Sequence, residues 1–243
     1  MTTYDVRRAA DRFHTEAGWL DSRHSFSFSR HYDPANTHHG LLLVSNDDIV
    51  APGTGFDTHP HRDMEIVTWV LSGSLVHQDS EGHNGVIHPG LAQRMSAGSG
   101  ILHSEKNDVR ASATPEPVRF VQMWVLPDET GITPGYEQRD VSADLTPGAL
   151  VPVASGNPAH DSAIRIHQKD ATLHAARLAP GDTVTLPTAP YLHLFIAQGS
   201  ATLEGAGPLA EGDAVRLTTP DTPHLTATTP TELLLWEMHT TLP

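Results

Sequence analysis

Short strand-like segments, each followed by a Gly- or Pro-containing turn, fill most of the chain. Ile66–Leu71 and Phe120–Leu126 are clear examples, rich in β-branched and aromatic residues. The others are Val86–His88, Thr183–Leu186, His193–Ala197, Ala201–Glu204, Ala214–Thr218 and Glu232–Met238. Helical periodicity is weak, and Asp5–His14 and Ala171–Leu178 are the short helix candidates. Strands at this spacing are typical of an antiparallel sandwich or barrel, so we predict an all-β fold.

The turn residues indicate an internal repeat. Three glycines and one histidine of the first half recur in the same order, at similar intervals, in the second. These positions are Gly53, Gly73, Gly90 and His103, then Gly181, Gly199, Gly212 and His224. Two copies of one turn-and-strand unit are the simplest account, and chance recurrence of Gly-rich turns is the alternative.

The length of 243 residues accommodates one or two domains, and the composition suggests where they divide. The stretch 127–159 is rich in Pro, Gly, Asp and Ala, which is typical of a linker. We therefore predict a first barrel over residues 1–135, a linker over 136–159 and a second barrel over 160–243.

Charge and cysteine content exclude several functions. The chain has 15 basic and 29 acidic residues, a net charge of −14, and Lys106 and Lys169 are its two lysines. With no basic run to neutralise phosphates, we expect no direct nucleic-acid contact and no anionic membrane surface as a partner. The lack of cysteine excludes disulfides, thiolate nucleophiles and Cys-based metal sites.

We also expect a soluble, cytoplasmic protein. Met1–Leu20 contains no signal-peptide core, because charged residues are scattered through it. The strongest apolar run near it, Leu41–Val44, is far shorter than the roughly 20 residues that a membrane-spanning helix needs.

Seventeen histidines in a chain without cysteine raise the question of a metal site. His59 and His61 are two residues apart, and so are His103 and Glu105. On a strand, residues at this spacing project to the same face. Two such strands side by side would offer three imidazoles and a carboxylate to one divalent transition metal. That ligand set is permissive and suits Fe, Ni, Cu, Co or Zn, with positions left for water, dioxygen or substrate.

Many of the other histidines show no convergent spacing, and we interpret them as surface or hydrogen-bonded side chains. These are His38, His39, His77, His83, His88, His160, His167, His174 and His239.

Spacing alone does not decide between Glu105 and Glu65 as the acidic ligand of the metal.

At these residues the sequence resembles the pirin family of cupins. The motif Gly53-x5-His59-x-His61-x3-Glu65, followed by Gly73, resembles the first cupin motif. The runs GFDTHPHRDMEIVTWVL (55–71) and SAGSGILHSEKN (96–107) look more specifically like pirin, as do short runs at 25–28, 32–34 and 46–48. The likeness is strong over roughly the first 140 residues. It implies a bicupin, in which two antiparallel jelly-roll barrels (double-stranded β-helices) lie face to face.

The resemblance also implies a ligand set. In pirin-like proteins the fourth ligand is the glutamate two residues after the histidine of the second motif, which is Glu105 here. Glu65 is then a structural acid or one that orients a ligand imidazole, and it stays the alternative ligand. The second copy has Thr185, Pro187 and Tyr191 near the positions of His59, His61 and Glu65. We therefore expect one divalent metal per chain, Fe²⁺ first and Ni, Cu, Co, Mn or Zn as alternatives, held in the N-terminal barrel.

The activity that the resemblance implies is that of a quercetin 2,3-dioxygenase. Such an enzyme opens the ring of a flavonol with O₂ and releases carbon monoxide. The metal would bind the deprotonated 3-hydroxyl group, and Glu105 would act as the catalytic base. The candidate walls of the substrate pocket are Phe56, Met64, Trp69, Met95 and Leu102.

Two other functions stay open at this point. One is a non-enzymatic, metal- or redox-responsive protein partner of transcription regulators, and the other is a cupin enzyme that acts on a different small phenolic. The sequence leaves the native metal, the physiological substrate and the oligomeric state undetermined.

Overall fold

The computed structural model describes residues 2–110, 114–145 and 148–242. Within those ranges the one helical element is a 3₁₀ turn, Ala9–Asp11. The strands are β1 (Thr3–Arg7), β2 (Phe13–Glu16), β3 (Leu20–His24), β4 (Leu42–Val50), β5 (Gly55–His61), β6 (Glu65–Ser72), β7 (Leu75–Asp79), β8 (Asn84–Ile87), β9 (Leu91–Ser96), β10 (Ile101–Asn107), β11 (Val118–Val125), β12 (Gly135–Asp140), β13 (Val151–Ser155), β14 (Ile164–Arg165), β15 (Ala171–Leu178), β16 (Thr183–Thr185), β17 (Tyr191–Gln198), β18 (Ser200–Leu203), β19 (Gly207–Ala210), β20 (Ala214–Thr218), β21 (His224–Ala227) and β22 (Thr231–Met238).

Four sheets form two sandwiches. In the first half of the molecule the four-stranded sheet β5-β10-β7-β8 covers the seven-stranded sheet β12-β9-β6-β11-β4-β3-β2. In the second half β16-β21-β18-β19 covers β1-β20-β17-β22-β15-β13-β14. Nearly all neighbouring strands are antiparallel, and the all-β prediction is confirmed.

The strand orders confirm the internal repeat. The order β9-β6-β11-β4 of the first half corresponds to β20-β17-β22-β15 of the second, and the four-stranded sheets match strand for strand. Gly73 and Gly199 occupy equivalent turns at φ +73° and +79°. A Cβ atom at Gly199 would lie 2.0 Å from the carbonyl oxygen of Pro230, so both the conformation and the space favour glycine there.

The two halves lie face to face through their seven-stranded sheets. The apolar cluster between them, which we call the inter-half core, includes Trp69 and Met123 from the first half and Leu173 and Trp236 from the second. The Trp69 indole N–H donates to Glu232 Oε1 across this boundary, at 2.7 Å. Strands such as β6 and β22 are therefore buried on both faces. Burial on both faces explains why they are almost continuously apolar in sequence.

The two predicted helices were wrong. Ala171–Leu178 is the strand β15, and Asp5–His14 divides into parts of β1 and β2 around the 3₁₀ turn. Alternate residues of β15 enter different cores, with Leu173 in the inter-half core and Leu178 in the interior of the second half. A strand that is apolar on both faces loses the period of two, so the pattern of β15 is also compatible with a short helix.

Some strand pairs cross the predicted domain bounds. Strand β1 pairs with β20 in the second half, although it belongs to the segment assigned to the first barrel. The stretch predicted as a linker contains most of β12, which pairs with β9, and all of β13, which pairs with β15. Within the described ranges, no helix is long and apolar enough to cross a membrane.

Replacing Trp69 with Phe should lower the free energy of unfolding by about 1–3 kcal/mol, because buried Glu232 loses a hydrogen-bond donor. Urea denaturation followed by circular dichroism measures this change. Trp19→Phe is the matched control, because the half-buried Trp19 indole N–H donates to no described residue. That control should cost less than about 1 kcal/mol. Equal costs for the two variants would contradict the role given to the hydrogen bond.

Candidate metal centre

Two antiparallel strands bring three histidines together inside the first half. Burial alternates along β10, so that His103 and Glu105 point inward and Leu102 outward. On the neighbouring β5, His59 lies directly opposite His103. The ring centroids are 4.4 Å apart for His59 and His103, 4.9 Å for His59 and His61, and 4.8 Å for His61 and His103. The ligand nitrogens of the three rings all lie within 4.8 Å of one another, close enough to share one metal ion.

Hydrogen bonding leaves the Nε2 atoms of these rings available as ligands. His59 Nδ1 lies 2.7 Å from the carbonyl oxygen of Asp57. A carbonyl only accepts, so His59 donates from Nδ1 and keeps a lone pair on Nε2. The Nε2 atoms of His61 and His103 are buried without a hydrogen-bond partner. Burying an unpaired polar atom is costly, and a metal ion at this point would satisfy it.

A chain of side chains determines which nitrogen of His103 is free. His77 Nε2 lies 3.2 Å from Asp79 Oδ2, and His77 Nδ1 lies 3.4 Å from His103 Nδ1. Because the carboxylate accepts, His77 donates from Nε2 and has its lone pair on Nδ1. His103 then donates from Nδ1, and its Nε2 lone pair faces the other two histidines. A hydrogen-bond partner behind a ligand imidazole is a common way to orient metal ligands, and here that partner is His77, itself held by Asp79.

The surroundings of two imidazoles of this cluster keep them neutral. Burial, followed by the neighbouring histidines, lowers the pKa of His61 to about 3 and that of His103 to about 3. Both rings are therefore unprotonated at neutral pH, which is the form that binds metals.

Glu105 lies close to His103, and its carboxylate is held by the neutral side-chain amide of Gln122. The register between β10 and β5 shifts between His103 and Glu105, so Glu105 lies opposite Phe56. Gln122 Nε2 donates to both carboxylate oxygens of Glu105, at 2.8 and 2.9 Å, and Gln122 Oε1 accepts from Trp124 Nε1 at 3.0 Å. Burial raises the pKa of Glu105. Since no described cation pairs with this carboxylate, a divalent ion would supply the missing charge.

The four predicted ligands fall into two overlapping groups. His59, His61 and His103 form one, and Glu105 forms the other with His103 and His77, each group with its ligand atoms within 4.8 Å. His103 belongs to both and connects them. The residues present therefore fit a metal ion, because they offer unpaired imidazole nitrogens beside an uncompensated carboxylate.

The site opens into a cavity of about 330 Å³. His59, His61 and Glu105 line one part of it. The apolar wall residues are Leu20, Phe28, Phe56 and Trp124, and the buried polar ones are Ser22, His24, Asn46, Asp48 and Gln122. A mostly apolar cavity with a few convergent polar groups is typical of a small-molecule site.

Of the five predicted pocket walls, Phe56 lines the cavity and the other four lie elsewhere. Trp69 belongs to the inter-half core. Met95 is packed with Ile66 and Ile101 in a separate apolar cluster, which Met64 also contacts, and Leu102 is 47% exposed. The correction has a simple cause. Neighbours along a strand point to opposite faces, so closeness in sequence to a ligand does not place a residue in the same cavity.

Glu65 forms structural contacts with β9 and the second half. Its carboxylate is fully buried and accepts hydrogen bonds from Ser96 Oγ at 2.9 Å and from the backbone N–H of His167 at 3.0 Å. These contacts connect β6 and β9 to the second half, and neither described metal group includes Glu65. Its hydrogen-bond partners within the described ranges include no ligand imidazole.

Sequence reasoning missed His77, Asp79 and Gln122. A signal for the first two was present, because His77 and Asp79 also lie two residues apart on a strand and directly follow the Gly73 turn. Gln122 carries no such signal. Its contact with Glu105 can be recognised only from the fold, in which β11 places Gln122 beside that carboxylate.

The second half has the same strand pairing without the same chemistry. Thr185 lies opposite His224, as His59 lies opposite His103, but His224 is exposed and hydrogen-bonds to Thr185 Oγ1 at 3.0 Å. The interior there is apolar, with side chains such as Leu225 in it. Within the described ranges, both groups that could hold a metal are in the first half.

Comparisons with known proteins agree with this architecture. The family model described as Pirin matches residues 5–125, and the one described as quercetinase C-terminal cupin domain matches residues 152–238. A Mycobacterium tuberculosis protein that is provisionally named quercetin 2,3-dioxygenase is 64% identical over 240 residues, covering 99% of this chain and 97% of the relative. An Escherichia coli quercetin 2,3-dioxygenase is 44% identical over 163 residues, which is 67% of each chain.

Solved structures confirm the bicupin fold. A bacterial pirin from Escherichia coli in complex with nickel(II) superimposes with a TM-score of 0.88 at 33% identity, covering 99% of this chain and all of the other. A quercetin 2,3-dioxygenase from Acinetobacter baumannii gives a TM-score of 0.79 at 21% identity, covering 99% and 88%, and supports the fold alone.

Replacing Glu105 with Gln should weaken divalent metal binding by about a hundredfold or more, because the buried carboxylate supplies the negative charge of the site. Isothermal titration of the metal-free protein with Ni²⁺ measures the affinity. Glu65→Gln is the matched control and should leave Ni²⁺ affinity within about threefold. If Glu65→Gln abolished binding and Glu105→Gln did not, the assignment of the acidic ligand would be wrong.

His77→Phe should weaken Ni²⁺ binding by about 10- to 100-fold, the range typical when the partner that orients a metal ligand is lost. Phenylalanine keeps a ring in place but cannot accept the hydrogen from His103 Nδ1. The same titration measures the loss. His83→Phe is the control, because His83 also contacts Asp79 but contacts no ligand. Unchanged affinity in His77→Phe would mean that His103 is oriented by packing alone.

Proposed function

The chain belongs to the pirin family, and on this premise we propose that it is a metal-dependent dioxygenase that opens the ring of a flavonol such as quercetin. The observation that carries the proposal is a histidine and glutamate cluster that opens directly into a cavity with aromatic side chains in its wall. A site built only to bind metal would not need such a cavity.

His59, His61, His103 and Glu105 are the residues that we propose to hold the ion. Fe²⁺ is our first choice, although the same donors accept Ni, Co, Cu, Mn or Zn, and occupancy in the cell follows metal supply. When bound, a divalent metal supplies Lewis acidity, which lowers the pKa of a coordinating hydroxyl group.

Glu105 is the proposed base for the substrate. Its buried carboxylate has a raised pKa, which makes it a better proton acceptor than an exposed glutamate. Gln122 holds both carboxylate oxygens from behind, so the group is oriented before the substrate arrives. The proton of the flavonol 3-hydroxyl would pass to one of these oxygens.

The cavity suits a planar aromatic substrate. A volume of about 330 Å³ is within the range of small-molecule sites. Trp124 stands edge-on to the rings of both His61 and Phe28, so the apolar wall is in contact with a ligand histidine. An apolar lining excludes water around the deprotonated flavonol.

In the overall reaction both atoms of O₂ enter the ester product, and one ring carbon leaves as carbon monoxide.

The test is turnover by the metal-loaded protein. Metal-free protein is reconstituted with Fe²⁺, Ni²⁺, Co²⁺, Cu²⁺, Mn²⁺ or Zn²⁺ in turn, and loss of quercetin absorbance and O₂ uptake are recorded. We expect one O₂ consumed per quercetin with at least one metal. His103→Ala should abolish turnover. His224→Ala, its matched control in the second half, should retain it.

Bound metal without turnover in every case would overturn the dioxygenase proposal and leave the metal centre intact. That result would favour the alternative prediction, a metal- or redox-responsive partner of transcription regulators. Cytoplasmic location and the absence of nucleic-acid contact stay predictions from the sequence.

A further inference from the structure

We infer that Asp48 and Asn46 form a subsite that recognises a pair of adjacent hydroxyl groups, as in a catechol. These hydroxyl groups belong to the part of the substrate that does not contact the metal ligands. This inference rests on the proposed function, because it concerns the same cavity and the same class of substrate. It adds residues that neither hold the metal nor accept the substrate proton.

The subsite is built by two paired strands. On β3 and β4, Ser22 lies directly opposite Asp48, and His24 lies opposite Asn46. All four side chains line the cavity that contains the metal ligands. Each is at most 4% exposed, so their polar atoms face the cavity and the protein interior rather than bulk water.

Hydrogen bonds orient these groups and leave one acceptor and one donor free. Ser22 Oγ donates to Asp48 Oδ1, and His24 Nδ1 lies 2.9 Å from Asn46 Oδ1. His24 is itself held by Thr15, whose hydroxyl lies 3.0 Å from His24 Nε2. Within the described ranges, Asp48 Oδ2 and the side-chain N–H₂ of Asn46 have no hydrogen-bond partner. Both residues line the same cavity, so a ligand can reach them.

An acceptor beside a donor matches two neighbouring hydroxyl groups. One hydroxyl of a catechol donates to Asp48 Oδ2, and its neighbour accepts from Asn46. The apolar wall of the same cavity, formed in part by Phe28 and Phe56, would contact the aromatic rings.

Asp48 contrasts with Asp47, the next residue on β4. Asp47 points to the opposite face and pairs with Arg119, whose Nε and Nη2 each donate to one of its carboxylate oxygens at 2.9 Å. Asp48 forms no ion pair with the described residues, and burial raises its pKa to about 7. A buried acid without a cation is not explained by stability, and such groups concentrate at functional sites. Because the folded protein disfavours the charge at this position, a neutral amide should be tolerated.

The test compares three flavonols that differ only in the hydroxyl groups of one ring. Quercetin carries a catechol there, kaempferol a single hydroxyl and galangin none. Dissociation constants are measured by tryptophan fluorescence quenching on the Zn²⁺-loaded protein without O₂, so that turnover is not required. We expect quercetin to bind about tenfold more tightly than galangin.

Asp48→Asn should reduce this preference to about twofold or less, because the catechol loses the acceptor for one of its hydroxyl groups. Asp47→Asn is the matched control, the same chemical change on the other face of β4, and should keep the preference. Circular dichroism and zinc content confirm folding of both variants. An unchanged preference in Asp48→Asn would overturn the inference.

The wild-type protein provides a test that does not depend on any variant. In the 3′-O-methyl ether of quercetin, one of the two catechol hydroxyl groups is methylated. This compound should therefore bind about as weakly as kaempferol, which has a single hydroxyl group on the same ring. Binding equal to that of quercetin would overturn the subsite. A binding preference, together with no turnover in air with any of the six metals, would support the subsite and contradict the dioxygenase proposal. Turnover without a binding preference would do the reverse, so the two failures are distinguishable.

Discussion

The pairing of β5 with β10 is the interaction on which the site depends. Placing His59 opposite His103 puts residues that are distant in sequence within ligand distance of each other. The shift in register after His103 then places Glu105 opposite Phe56 at the cavity. A slip of one residue in this pairing would turn the inward side chains outward, so the register of a single pair of strands determines the chemistry.

The two halves show how one fold accommodates different interiors. The second half fills its barrel with apolar side chains, and the inter-half core adds a second apolar layer. The first half instead buries polar groups such as Gln122, Asp48 and His77, which is costly unless each has a partner.

Much of the fold and part of the site could be predicted from the sequence. Spacing-two pairs and Gly turns indicated the strands, the repeat and three converging histidines, because side-chain direction on a strand follows directly from position. The helix expected at Ala171–Leu178 was wrong, because that strand is apolar on both faces. His77 and Gln122 were missed, and Met95 and Trp69 were misplaced, because those contacts depend on which strands become neighbours in the fold.

The central claim is that one ion per chain is held by histidines from β5 and β10 together with Glu105. X-ray absorption spectroscopy of the Ni²⁺-loaded protein, combined with metal analysis, tests it most directly. We predict one nickel per chain, three imidazole ligands and the remaining ligands oxygen. Two metals per chain, or a first coordination sphere with fewer than two imidazoles, would contradict the account.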